Sequence, residues 1–130
     1  MDILFLDASV LFSAAYRPEA KFLTLWQMSG VRLISSPYAL DEARRNLAKP
    51  EQRHRLEKLL RSVNLVSALP AEPLPEGVKL PAKDVPILLG AIASQATHLL
   101  TSDFKHFGAC FWQIIEGVTI LPPAAYLKGK

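Results

Sequence analysis

"DVPILLGAIASQATHLLTSDFKHFG" (residues 84–108) decides how this chain folds. Its first part, 84–96, carries Val85, Ile87, Leu88, Leu89, Ala91, Ile92 and Ala93 and reads as a helix that is apolar nearly all round. Pro86 falls in its first turn, where a missing N–H costs little. "HLLT" at 98–101 is then a brief apolar run without in–out alternation, which suits a strand covered on both faces. The run stops on Thr-Ser-Asp, so the strand edge ends in a carboxylate, Asp103.

Working outward, "ILFL" at 3–6 and "RLIS" at 32–35 have the same buried-strand character, and "NLV" at 64–66 and "VTIL" at 118–121 have it more weakly. Helical patterns fill the gaps. In 20–29 the apolar residues spread over an arc of roughly 220° at ~100° per residue. In 51–63, Leu56, Leu59, Leu60 and Val63 form a one-sided stripe opposite basic residues. Strands separated by helices imply an α/β fold with right-handed crossovers and a parallel sheet covered on both sides. "SALPAEPLPEGVKLPAK" at 67–83 holds four of the ten prolines and reads as an extended loop.

At 130 residues, half of them hydrophobic and 21% charged, the composition is that of one globular domain spanning 1–130. The longest apolar stretch, 85–93, falls short of the ~20 residues a membrane span requires. The N-terminus has an acid at position 2 and no basic segment, so no signal peptide is expected and a cytoplasmic location is. A single cysteine, Cys110, excludes an internal disulfide and a cysteine-rich zinc site, and reads as a small buried hydrophobe. Net charge is +3, a weak pull toward anionic partners. Seven of the fifteen Lys and Arg lie between Arg44 and Arg61, against two acids.

Four acids point to one place. In open parallel sheets, ligands bind in the crevice beyond the carboxyl ends of the strands. Asp7 ends the first strand and Asp103 the "HLLT" strand. Glu42 lies in the first turns of the helix after "LISSP", and Asp84 opens the apolar helix that returns to "HLLT". Each has a bland reading: a cap for Asp7 and Asp84, a dipole partner for Glu42, an Asx turn for Asp103. Together they repel strongly unless a cation sits among them, and an all-oxygen set selects Mg²⁺ or Mn²⁺. If the acids cluster, Asp103→Asn is expected to raise the melting temperature of metal-free protein.

The blocks "FLDASVLFSA", "SPYALDEARRNL", "LPAKDVPILLGAIASQATHLLTSDFKHFG" and "GVTILPPAAYL" resemble the successive motifs of PIN domains, from residue 3 to about 127. The chain is most similar to the small single-domain prokaryotic type that includes VapC-like toxin ribonucleases. The resemblance implies a three-layer α/β/α fold and a Mg²⁺- or Mn²⁺-dependent nuclease that prefers RNA and leaves a 5′-phosphate and a 3′-hydroxyl. Asp7, Glu42 rather than Asp41, Asp84 and Asp103 match the four motif acids. Ser9 stands where Asn is frequent in the family, and Ser102 where Gly is.

On this reading Asp7 and Asp103 ligate the ion, while Glu42 and Asp84 act through waters. Ser9 and Thr101 either orient those waters or satisfy backbone groups. Arg44, Arg45, Lys105 and His106 are candidate RNA contacts, with solvated surface as the alternative. The wide apolar arc of Phe22, Trp26 and Met28 suggests a partner, either a second copy forming a homodimer or an antitoxin protein, unless the 67–83 loop covers it. Two other functions compete. A phosphoacceptor receiver needs adjacent acids after the first strand and an Asp after the third, and "NLVSALP" supplies none. A PIN scaffold of weak activity, binding RNA or protein, is the other.

Overall fold

The computed structural model describes residues 1–66 and 73–130. The chain runs β1 (Asp2–Leu6), α1 (Ala8–Tyr16), α2 (Thr24–Gln27), β2 (Val31–Ser35), α3 (Pro37–Asn46), α4 (Pro50–Leu59) and β3 (Val63–Leu65). It continues with α5 (Val85–Ala93), β4 (His98–Leu100), α6 (Phe104–Phe107), β5 (Ile114–Ile115), β6 (Val118–Leu121) and α7 (Pro123–Lys128). The six strands form one sheet in the order β3-β2-β1-β4-β6-β5, parallel except for the β5–β6 pair. Helices cover it to give the three-layer α/β/α architecture.

The apolar strand runs explain this arrangement. Leu4, Phe5 and Leu6 of β1 and Leu99 and Leu100 of β4 are fully buried, as strands sandwiched between helices must be. Ile87 and Leu88 of α5 and Val10 and Leu11 of α1 join them in one continuous core. Burying each such side chain contributes about 1.5–3 kcal/mol relative to exposure. Gly90 lets α5 approach closely, since a Cβ there would sit 3.2 Å from the Phe5 ring.

Local signals set the ends of the elements. Pro37 and Pro50 stand in the first turns of α3 and α4, and Ser36 caps α3 by accepting from the Ala39 N–H at 3.2 Å. Gln95 lies in the left-handed region just beyond α5. The β5–β6 hairpin turns through Glu116 and Gly117, both with positive φ (50° and 82°), the pairing a two-residue loop requires.

Three sequence expectations shift. The 20–29 segment is a 3-10 turn, Lys21–Leu23, followed by the short α2, which ends as Met28 turns extended. The 51–63 helix stops at Leu59, and β-branched Val63 opens β3 in register with Leu33 rather than extending a helical stripe. Within the expected 67–83 loop, residues 67–72 lie outside the described residues. The remainder turns at Gly77, packs Leu74, Val78 and Leu80 against the core, and ends in a 3-10 turn, Ala82–Asp84. No helix among the described residues is long and apolar enough to cross a membrane.

Candidate metal centre

From β1 the chain builds outward through β2 to β3, then returns to lay β4 on the other side of β1. The reversal lies between β1 and β4, where their carboxyl ends open a crevice. Leu6 and Leu100 are in register, so Asp7 and Thr101 emerge side by side, with the Asp7 N–H bonded to the Leu100 carbonyl at 3.1 Å.

Asp7 precedes α1 but makes no side-chain cap bond. Its carboxylate is instead held from both strands. The Ser9 hydroxyl donates to Oδ2 at 2.8 Å and the Thr101 hydroxyl to the same oxygen at 2.7 Å. Ser9 Oγ in turn accepts from the Ser102 N–H at 3.0 Å, and Thr101 Oγ1 from the Asp103 N–H at 3.1 Å. The two hydroxyls therefore fix one carboxylate and the turn that carries the other.

Glu42, half-buried on α3, lines the same cleft of about 450 Å³ as Asp7, Ser9, Phe12, Asn46 and Asp103. Asp103 caps α6 by accepting from the His106 N–H at 3.0 Å, a structural role held alongside its place in the cleft. Its Oδ2 lies 2.7 Å from His106 Nδ1. The same nitrogen is 3.2 Å from Oδ2 of Asp84. Asp84, Asp103 and His106 each offer a donor atom within 4.8 Å of the other two, while Asp7 and Glu42 stand outside this close triangle.

Asp84 is the unsatisfied member. Its side chain is only 5% exposed, it makes no cap bond to α5, and Oδ2 has no hydrogen-bond partner among the described residues. Burial pushes its carboxyl above the usual range; Lys83 and His106 pull it back, while the charges of Asp103 and Asp7 add to the rise. Tyr38 locks this segment to α3 by donating to the Lys83 carbonyl at 2.6 Å. Burial, followed by the charges of Glu42 and Asp84, raises the Tyr38 phenol. All four acids thus gather at one end of the sheet. A buried, unpartnered carboxylate oxygen beside other carboxylates is a setting that a dication relieves, so these residues fit a bound cation.

Three of the seven basic residues between Arg44 and Arg61 are committed elsewhere. Arg44 pairs with Glu57 at 2.6 Å. Arg55 donates to the Ala15 and Tyr16 carbonyls at the end of α1, and Arg53 to the Leu47 and Ala48 carbonyls after α3. These arginines close helix ends. Arg45 and Lys105 are exposed. Phe22, Trp26 and Met28 are each half-buried against the core, and the Trp26 indole donates to the Leu59 carbonyl at 3.0 Å. Two roles escaped the sequence reading: His106 as the link between Asp103 and Asp84, and Tyr38 as the tie to Lys83. The first had a signal in the Asp103–His106 spacing of three, which puts the pair on one helical turn. The second had none.

No protein-family model matches the chain, and no curated protein is matched. The functional reading therefore stands on the fold, the site and the motifs.

Proposed function

We propose that this chain is a divalent-metal-dependent endoribonuclease with a PIN-like fold that hydrolyses RNA phosphodiester bonds. The observation that carries the reading is the gathering of Asp7, Glu42, Asp84 and Asp103, from four separate segments, beyond the carboxyl ends of β1 and β4. Its toxin role, with an antitoxin protein as partner, is supported by the motif resemblance alone.

Asp84 and Asp103 would hold the cation, and Asp7, expected from the sequence as a direct ligand, would with Glu42 hold waters around it. The bound cation supplies a more acidic water and offsets charge that grows on the phosphate. Ser9 and Thr101 keep the Asp7 carboxylate from rotating, because both hydroxyls grip the same oxygen. Arg45 and Lys105, exposed on the segments that carry Glu42 and Asp103, steer the RNA backbone toward the cleft. The products carry a 5′-phosphate and a 3′-hydroxyl.

The test is cleavage of an unstructured RNA by metal-stripped protein, with Mg²⁺ or Mn²⁺ restored, with EDTA added, and with Asp7→Asn. Cleavage should require metal and vanish in the variant. Cleavage that persists in EDTA overturns the metal mechanism, and none with either metal leaves a non-catalytic scaffold.

A further inference from the structure

His106 faces the two acids with one atom, Nδ1, at 2.7 Å from Asp103 Oδ2 and 3.2 Å from Asp84 Oδ2. Adjacent ligands of an octahedral ion with ~2.1 Å bonds stand ~3 Å apart, so these two spacings are already those of neighbouring positions on a metal. The three donors come from two supports. Asp84 sits on the 3-10 turn before α5, Asp103 at the cap of α6 and His106 one turn into it. Asp84 Oδ2 supplies an independent sign of a ligand, since it is buried in this triangle without a hydrogen-bond partner among the described residues. His106 itself is held in place by its own N–H bond to Asp103 Oδ1 at 3.0 Å.

We propose that His106 Nδ1 is a metal ligand, forming with Asp84 and Asp103 a one-imidazole, two-carboxylate site that takes Mn²⁺ in preference to Mg²⁺. The inference rests on the reading of this sheet edge as a cation site, but not on what is hydrolysed there. Ligation requires the neutral ring with its hydrogen on Nε2, leaving the Nδ1 lone pair to the ion. Mg²⁺ demands oxygen ligands and surrenders its waters reluctantly, whereas imidazole suits first-row transition metals. A nitrogen donor among carboxylates therefore biases the site away from Mg²⁺.

Pulsed electron paramagnetic resonance on metal-stripped protein loaded with one equivalent of Mn²⁺ reads the contact directly. Wild type should show modulation from a directly bound nitrogen that changes when histidine is labelled with ¹⁵N. His106→Gln should abolish the modulation and weaken Mn²⁺ binding about tenfold or more, while Mg²⁺ affinity, measured by competition, changes less. Mn²⁺ bound without nitrogen modulation in wild type, or equal losses for both metals in the variant, overturns the assignment of His106. Absence of binding by either metal overturns the cation site itself, and the His106 assignment falls with it.

Discussion

Asp84→Asn in metal-free protein probes the physics of the site without any substrate. The wild-type carboxylate is buried, its Oδ2 lacks a hydrogen-bond partner among the described residues, and its neighbours include the acids Asp103 and Asp7. An unsatisfied buried polar group costs about 1–3 kcal/mol, more when charged. His106 and Lys83 offset part of this, and an asparagine stays buried, so the gain expected is about 1–2 kcal/mol at pH 7.5. With an unfolding entropy of about 2.1 cal/mol/K per residue over 130 residues, that is a rise of about 4–7 °C in melting temperature. The sign has a pH signature. Because burial raises the folded carboxyl, the native state binds a proton that the unfolded state has released, between the ordinary value of ~4 and the raised one. Wild-type stability is therefore favoured below that window and lost as pH rises through it, and the advantage of the variant should fade as pH falls to about 4. Thermal melts in EDTA across this range are the assay. An unchanged or lowered melting temperature at pH 7.5, or a gain equally large at pH 3.5, refutes the picture of a buried, only partly compensated charge. For Asp103→Asn no rise in melting temperature is expected: asparagine keeps the cap on α6, but the charge paired with His106 is lost.

Thr101→Val removes the 2.7 Å bond to Asp7 and the acceptor for the Asp103 N–H, and urea unfolding should show a loss of about 1–3 kcal/mol. Arg55→Ala uncaps the α1 carbonyls and should lose about 1.5–3 kcal/mol, whereas exposed Lys58→Ala should stay within about 0.5 kcal/mol in the same denaturation series. The Tyr126 hydroxyl donates to Asp2 at 2.7 Å and is the largest cause holding that carboxyl below its ordinary value. The stabilisation is present above pH ~4 and lost as pH falls through the lowered value, so Tyr126→Phe should weaken the protein most at neutral pH and little in strong acid, read by melts against pH.

Much of this was legible along the chain because burial on both faces leaves a plain mark. The runs at 3–6, 32–35 and 98–101 could hardly be anything but inner strands, and their order with the helices gave the parallel sheet. Val63 was misplaced because a β-branched residue next to a leucine stripe satisfies a helical period as easily as a strand. The β5–β6 hairpin was missed because Ile114–Ile115 is too short to show any period, although Glu116-Gly117 carries its turn. The breadth of apolar surface at Phe22, Trp26 and Met28 was visible, but not that the backbone breaks there and wraps it onto the core. Arg53 and Arg55 looked like a basic face because their partners are backbone carbonyls, which no sequence displays.

The sequence alone determined which carboxylates end strands and open helices, since strand-end position follows from the apolar runs that precede Asp7 and Asp103. Only the tertiary structure decided how those acids differ. Asp7 is gripped by two hydroxyls, Asp103 is paid for by a cap and an imidazole, and Asp84 is left buried with an unpartnered oxygen. The reason is that hydrogen-bond satisfaction and desolvation depend on what folding brings within about 3 Å from distant parts of the chain, and linear spacing does not encode that distance.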